Sequence, residues 1–520
     1  MLVPILREDF WLNTSARTAV ALSALVGLAI PWLAWVGAHR VDDVFILYRY
    51  AENVASGGGF AFNAGTPVEG VTTFLWTLAL VPFVWFGAVL PTVGPWLSAA
   101  CGIAILLLLP RLSARVGGRV APDLGDCFPS LLLLVTPGFA YWSRGGLETV
   151  PFGLLLLLAM LSHGAERAND PRRFGPSWLW FGLAIWTRPE TPLYVAAAAV
   201  DRLWSAPRES FSKVAKWVAR TAAVFASLIA FRLLYFGDIV PNTYYAKAGS
   251  QLASRLRDGI FYSLSAFADL LPHPHAARSL AVVVGTAAAA SIVLWGLRRD
   301  TARPLALLLA LMFVAIAFNG GDWMPLNRFW VPGIPFLFVL ASALAREKLA
   351  TRANGSLALM ALAGIFLVNG AASTALARLE STSPLHPDRS ARRAYADVSN
   401  FLIEHSQPGD TLALMDVGRI GYATKLPIVD ISGLVTPWIA KSPGGFLNKQ
   451  YPIERLLEPE PPRFFVLRPL RYPIDRRIAD DPRFRAEYRP VYRRKMDLTQ
   501  PGWESAEMFV FEHTSARVTQ

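Results

Sequence analysis

The stretch HRVDDVFILYRYAENVASGGGFAFNAG, residues 39–65, follows an uncharged apolar run from Thr18 to Ala38. Two adjacent carboxylates, Asp42 and Asp43, stand where a chain that has just crossed a membrane would emerge into water. The run before them has about the length a helix needs to cross hydrocarbon. It reads as a span rather than a cleaved leader, because its apolar core is too long and no small-residue cleavage site follows. After the acids, Phe45, Tyr48, Ala51, Val54 and Ala55 recur at helical spacing. That spacing predicts an amphipathic helix lying on the outer leaflet, stopped by Gly57–Gly59. Asp42 and Asp43 fall at its start, where unsatisfied backbone N–H groups and the helix dipole stabilise carboxylates. One carboxylate suffices for a cap. The second needs a reason of its own, since paired carboxylates repel.

The 520 residues are 53% hydrophobic and 17% charged, with a mean hydropathy of +0.37, a balance that excludes an ordinary soluble protein. Further apolar runs lie at 71–90, 93–109, 127–142, 150–162, 177–200, 217–236, 280–297, 305–318, 329–345 and 356–376. At roughly 20 residues per crossing they predict about eleven spans. The expected architecture is a polytopic α-helical membrane domain over 1–377, with a first external loop at 39–70, and a soluble domain over 378–520. In the latter, RSARRAYADVSNFLIEHS reads as an amphipathic helix and DTLALMD, LPIVDIS and RFFVL as short buried strands, a small α/β layer. Asp416, Arg419 and Asp430 fall at strand ends, where such sheets bind ligands; a structural or acceptor-glycan-binding role fits them.

The net charge of +12 suits positive-inside topology and anionic headgroups rather than nucleic acid. Arg298, Arg299 and Arg303, then Arg346, Lys348 and Arg352, and Arg208 to Arg220 should face the cytoplasm. The N-terminus is then cytoplasmic and the C-terminal domain external. Simple alternation leaves Arg111, Arg115 and Arg119, and Arg167, Arg172 and Arg173, on the outer side. Either the rule is weak there, or a run between 71 and 200 is miscounted; LAIWTRPETPLYV reads equally as two half-length helices. Cys101 and Cys127 lie in apolar segments and form neither a disulfide framework nor a metal spacing.

Ionisable groups at membrane depth are expensive and default to functional candidates. Besides Asp42 and Asp43 they are Arg144 and Glu148 around a Gly-Gly turn, Arg188 and Glu190 in TRPE, Asn242, Tyr245 and Lys247 in PNTYYAK, and Asp322 and Arg328. The plain alternatives are a polar interhelical loop, a structural ion pair and an interfacial aromatic belt. Acids and cations gathered on one side suit transfer of a sugar from a phospholipid carrier. A carboxylate would deprotonate an acceptor hydroxyl, and Arg or Lys would neutralise the leaving phosphate. No nucleotide-binding glycine loop is present. His273 and His275 flank Pro274, a spacing too sparse for a metal site on its own.

Asp42-Asp43 with Phe45-Ile46, GGLE at Gly145–Glu148, RPE at Arg188–Glu190 and the Pro-x-Thr…Lys end at Lys247 occur in an order that resembles the mycobacterial terminal β-(1→2)-arabinofuranosyltransferases and their relatives. These are polytopic glycosyltransferases of the GT-C superfamily. The resemblance implies a polyprenyl-phosphate sugar donor, a first external loop carrying the catalytic aspartate (Asp42 or Asp43) and a periplasmic C-terminal domain. Lys247 and Arg188 become candidates for the donor phosphate. A cell-envelope glycan is the implied acceptor, arabinofuranose a candidate sugar and the bacterial plasma membrane the implied location. A divalent cation held by Asp42 and Asp43 is a candidate cofactor. Two readings compete: a lipid-linked sugar transporter, and a non-catalytic regulatory or structural protein on the same fold.

Overall fold

The computed structural model describes residues 15–168, 176–205, 211–247, 251–271, 275–349, 355–382, 387–496 and 507–514. Arg172, Arg173, Arg208, His273 and Arg352 lie outside the described residues. In chain order the first helices are α1 (Ala16–Val36), α2 (Asp42–Ala55), α3 (Phe74–Trp85), α4 (Leu90–Val116), α5 (Phe128–Val135), α6 (Pro137–Ser143), α7 (Thr149–Arg167), α8 (Ser177–Ile185), α9 (Thr191–Ser205) and α10 (Phe211–Phe236). They are followed by α11 (Asn242–Lys247), α12 (Leu252–Asp269), α13 (Arg278–Leu297), α14 (Arg303–Asn319), α15 (Ile334–Leu349), α16 (Gly355–Thr382) and α17 (Pro387–His405). The chain divides into two compact units, one of Met1–His39, Thr92–Leu228 and Gln251–Leu376, the other of Arg40–Pro91, Ile229–Ser250 and Ala377–Gln520.

Among the described residues, α1, α4, α7, α10 and α13 are long and apolar enough to cross a membrane, and Leu124–Val135 with Pro137–Ser143, bent by 72°, would make a sixth crossing. The chain is a multi-pass membrane protein. The expected count of eleven is not confirmed, because several apolar runs form short or broken helices. The run at 71–90 yields only the 12 residues of α3, about 18 Å of helix.

The run at 177–200 is the more instructive correction. It is not one crossing but a hairpin, α8 and α9, broken at Trp186–Glu190. The Thr191 hydroxyl closes the break on the Ala184 and Arg188 carbonyls at 3.0 and 2.7 Å. Both outer ends of the hairpin lie beside the C-terminus of α7. Ser177 donates from N and Oγ to Glu166, each at 2.7 Å, and Asp201 pairs with His163 at 2.8 Å. Its tip reaches the other end of α7, where Arg188 meets Glu148 at 3.0 Å, about 28 Å of helix away.

Two runs that alternation counts as single crossings do not form one, the short run at 71–90 and the hairpin at 177–200, so the basic residues between them change sides. Arg167 then sits with Asp300 at 2.9 Å, Thr301 donates to the Val116 carbonyl at 2.7 Å, and Arg346 pairs with Asp123 beside Arg119 at 2.8 Å. The basic residues around 115–119, 167, 299–303 and 346 therefore share one end of the first unit. The strain in the topology came from two miscounted runs, 71–90 and 177–200.

The second unit contains a five-stranded sheet in the order β2-β1-β3-β5-β4. Strands β1 (Leu412–Leu414), β2 (Ile428–Asp430) and β3 (Phe464–Leu467) are parallel, with Leu412 opposite both Ile428 and Phe464. Strands β4 (Tyr488–Lys495) and β5 (Glu507–His513) add an antiparallel pair, β5 lying against β3. The three expected strands and the helix after residue 387 are present. The pair β4 and β5 was not expected: YRPVYRRK is polar, and its proline is tolerated because β4 is an edge strand with an irregularity at Pro490/Tyr492. Further helices of the unit include α18 (Val417–Thr424) after β1, and α19 (Pro473–Asp480) and α20 (Pro482–Glu487) after β3. Phe465, Leu467, Ile474, Ile478, Phe484 and Tyr488 form its core.

Candidate functional site

In the second unit, α2 does not expose one face as the expected amphipathic surface helix would. Every side chain from Val44 to Ala51 is buried, so the helix is enclosed all round. Its hydrophobic run is packed against α18, a partner some 370 residues on. Asp42 does not cap its own helix, whose N-cap is Val41. Its two carboxylate oxygens instead accept the backbone N–H groups of Gly418 and Arg419, both at 2.8 Å. These are free donors of the first turn of α18, where a carboxylate also opposes the positive end of the dipole.

Two helical turns along α2, Arg49 treats the other end of α18. Its guanidinium donates to the carbonyls of Gly421 at 2.6 Å and Leu426 at 2.7 Å, and to Phe62 at 2.8 Å. Glu52 then accepts from the Tyr422 hydroxyl at 2.6 Å and pairs with Lys425. One face of α2 thus carries an acid for the N-terminus of α18 and a base for its C-terminus. Gly418 permits the close approach: a Cβ there would collide with the Asp42 carbonyl and carboxylate. Further along the loop, the Asn63 amide accepts from Ile428 N at 2.9 Å and donates to its carbonyl at 2.8 Å, occupying the open edge of β2.

Loss of water, and then the charge of Asp416, push the Asp42 carboxyl up to about 7, against the pull of the Arg419 N–H. Asp416 is itself held by Arg468 at 2.8 Å and the Tyr395 hydroxyl at 2.6 Å. Asp43 is half-buried next to Asp42 and takes no part in the contact with Gly418 and Arg419. Asp430 closes a turn instead of facing a ligand. Its oxygens accept Ser432 N and Oγ, both at 2.8 Å, and Val435 N at 3.1 Å, and burial raises it to about 6.

The PNTYYAK residues separate in role. The buried Asn242 amide donates to the Gly433 and Leu434 carbonyls, both at 2.8 Å, and the Tyr245 hydroxyl to Asp238 at 3.1 Å. Both therefore tie α11 down, while Lys247 is exposed at its end. Two residues that the sequence did not single out anchor the same region. Glu69 receives a bidentate Arg232 at 2.7–3.1 Å, its carboxyl raised to about 7 by burial against the pull of that arginine. Lys449, 1% exposed, donates to the carbonyls of Ala440, Tyr245 and Ser442 at 2.7, 3.0 and 3.2 Å. Glu69 had a signal, an acid beside an apolar run; Lys449 had none, because its partners are backbone atoms.

The remaining candidates gather in the first unit. Arg188 donates to Glu148 at 3.0 Å and Glu190 at 2.6 Å, and Arg328 to Asp322 at 2.6 Å. The two guanidiniums flank one ring, lying 4.9 and 5.1 Å from the centre of Phe329. Tyr262 joins them by accepting Phe329 N at 3.0 Å. Arg144 stacks over the Trp96 ring at 3.7 Å. Three motifs from three separate loops thus become one cluster of arginines, carboxylates and aromatic faces, suited to receive an anion where a carboxylate can be exchanged for it. Elsewhere in this unit a 220 Å³ cavity bounded by Leu132, Phe267, Ile292, Leu337 and Phe366 is almost wholly apolar.

No group of three or more His, Cys, Asp or Glu side chains among the described residues is arranged to hold a metal ion. The oxygens of Asp42 are taken up by the N–H donors of Gly418 and Arg419.

The architecture is that of the GT-C polytopic membrane glycosyltransferases. Across 97% of its length the chain matches all of ArnT from Cupriavidus metallidurans, with a TM-score of 0.59 and 16% identity in the apo state, and 0.56 and 15% in the structure bound to undecaprenyl phosphate. The Archaeoglobus fulgidus oligosaccharyltransferase matches 86% of the chain over 69% of its own, with a TM-score of 0.53 and 14% identity. In sequence, 265 residues are 26% identical to the terminal beta-(1->2)-arabinofuranosyltransferase of Mycobacterium tuberculosis, 47% of this chain and 39% of that one. The chain thus spans about two fifths of the length of the curated relative it matches. Residues 386–518 match a family described as a domain of unknown function (DUF8728).

Proposed function

We propose that the chain is a membrane glycosyltransferase that moves a sugar, arabinofuranose being the first candidate, from a polyprenyl phosphate to a cell-envelope glycan. Its membrane is the bacterial plasma membrane, with the arginine-rich end of the first unit in the cytoplasm and the C-terminal unit outside. Support comes from the GT-C architecture, from a relative named for arabinofuranosyl transfer and from a fold neighbour solved with undecaprenyl phosphate.

The observation that carries the residue roles is the use of Asp42 by α18. It gives Asp42 a structural task, which supports Asp43 over Asp42 as the base. The Asp43 carboxylate takes the proton of an acceptor hydroxyl as that oxygen attacks the anomeric carbon. The C–O bond to phosphate breaks with its electron pair on the leaving polyprenyl phosphate. Arg188, Arg328, Arg144 and Lys247 are the candidates to balance that charge. Glu148, Glu190 and Asp322 orient two of those guanidiniums, and Asn242 and Tyr245 position α11.

The test is reconstitution in liposomes with a panel of radiolabelled polyprenyl-phosphate sugars and an oligosaccharide acceptor. Label should become covalently attached to the acceptor as polyprenyl phosphate is released one for one. Movement of the lipid-linked sugar across the bilayer without bond formation would replace this reading with a transporter.

A further inference from the structure

One turn of the first unit serves two places. Arg328 and Phe329 belong to the arginine cluster, while their neighbours Asn327 and Trp330 line a separate cavity of 90 Å³. The turn is tightly fixed. Leu326 and Asn327 take left-handed backbone, with φ of 58° and 51°, and Gly138 makes room, since a Cβ there would come within 2.9 Å of the Leu326 carbonyl. Phe267, Leu270 and Leu337 line this cavity and also the 220 Å³ apolar one, so the two form a single groove. Together they reach roughly 300 Å³, the lower end of ligand sites.

Along α15 the groove runs from Ile334 to Ala345, about 17 Å of helix, against a bilayer hydrocarbon thickness of about 30 Å. Its mouth is at the end of α15 away from Arg346. Depth and walls therefore suit an acyl chain of one leaflet. The mouth decides the headgroup. Neither cavity is lined by arginine or lysine, so a lipid phosphate meets no cation on the walls. Asp269, the charged group of the lining, is offset by Arg278 at 3.4 Å and accepts from the Asn327 amide at 2.9 Å. Trp330 is 4% exposed, and its indole N–H has no acceptor among the described residues. Leaving a buried donor unmet is costly, and a ligand oxygen would satisfy it.

From this geometry we infer that the groove takes an acyl chain of a neutral glycolipid, whose sugar or ester oxygen accepts from Trp330, and that the acceptor glycan is therefore lipid-borne. The second clause rests on the transferase reading above; the first does not. The sugar then stands beside the turn that carries Arg328, next to the proposed phosphate site.

The test titrates the full-length chain, in a sugar-free polyoxyethylene detergent, with a fluorescent monoglucosyl diacylglycerol. Phosphatidylglycerol with the same chains and a polyprenyl phosphate are the comparators. Saturable binding is expected for the glycolipid, and weaker binding for phosphatidylglycerol. Ala288 lines the groove and is exposed, so A288F should block the chain without unfolding the protein. Binding should fall by about tenfold or more, the worth of roughly two buried methylenes. W330F keeps a ring and removes the N–H, and should weaken binding by about threefold to tenfold. V283F, on the opposite face of α13 and equally exposed to substitution, should bind as wild type does.

Equal binding of phosphatidylglycerol, or a loss in V283F equal to that in A288F, overturns the inference. So does unchanged binding by A288F and W330F. Binding of the polyprenyl phosphate that A288F abolishes, with none of the glycolipid, would give the groove to the donor and overturn it too. The titration of the glycolipid uses no donor, so the two readings can fail separately. A chain that binds the glycolipid but never transfers a sugar loses only the transferase assignment. One that transfers to a soluble oligosaccharide and binds no glycolipid loses only the groove.

Discussion

Two acid sites, one in each unit, are satisfied in opposite ways. In the first, Glu148 and Glu190 are met by a guanidinium side chain, Arg188, across 40 and 2 residues of sequence. In the second, Asp42 is met by the backbone of a helix 376 residues away. A side-chain pair stands or falls with its residue types, whereas a carboxylate on a helix end depends on the close approach of two backbones. The first arrangement should be fragile to loss of charge, and the second to added bulk.

The largest effect should follow R188A. It strands Glu148 and Glu190 around a buried vacancy, and breaking such a pair costs about 3–5 kcal/mol. Denaturant unfolding of the detergent-solubilised chain should show that loss in the first unit; a loss below 1 kcal/mol would mean that the cluster is solvated. Next comes G418A. The added methyl group must displace Asp42, and crowding of this kind costs about 1–3 kcal/mol. Limited proteolysis should then cut the loop at 56–70 faster, while R188A should leave that loop protected.

A third effect concerns pH. Burial pushes the Asp475 carboxyl up to about 8, although the Arg468 N–H at 2.6 Å pulls it down. Its folded-state value lies above the unfolded one, so between about pH 4 and 8 the folded state holds the proton more tightly. Stability from this group is therefore lost as pH rises through that window. D475N removes the titration. The unfolding midpoint of the variant should gain on wild type as pH rises from 5 to 8, and parallel pH curves would sink the idea.

Where the sequence was readable, the partners were close in the chain or of matching type. Arg188 and Glu190 are two residues apart, and the α/β character of the C-terminal region follows from short apolar strands bounded by turns. The helix count was harder, since 177–200 is apolar throughout and only the TRPE break distinguishes a hairpin from a crossing. The destination of α2 could not be read at all. Its burial on every side looks, in sequence, like a helix with one greasy face, and its partner offers backbone N–H groups and a glycine that lacks a side chain, neither of which is a residue type that can be matched to an acid. Asp42 and Asp43 are adjacent and chemically identical; their different surroundings are set by α18.

That difference is measured most directly by comparing D42N and D43N for sugar transfer and thermal unfolding in the same preparations. D43N should unfold as wild type does and lose transfer by about 10²- to 10⁴-fold, the range for a missing general base. D42N should unfold earlier, by an amount worth about 1–2 kcal/mol, and keep measurable transfer. The reverse pattern, an inactive but stable D42N beside an active D43N, would contradict the account.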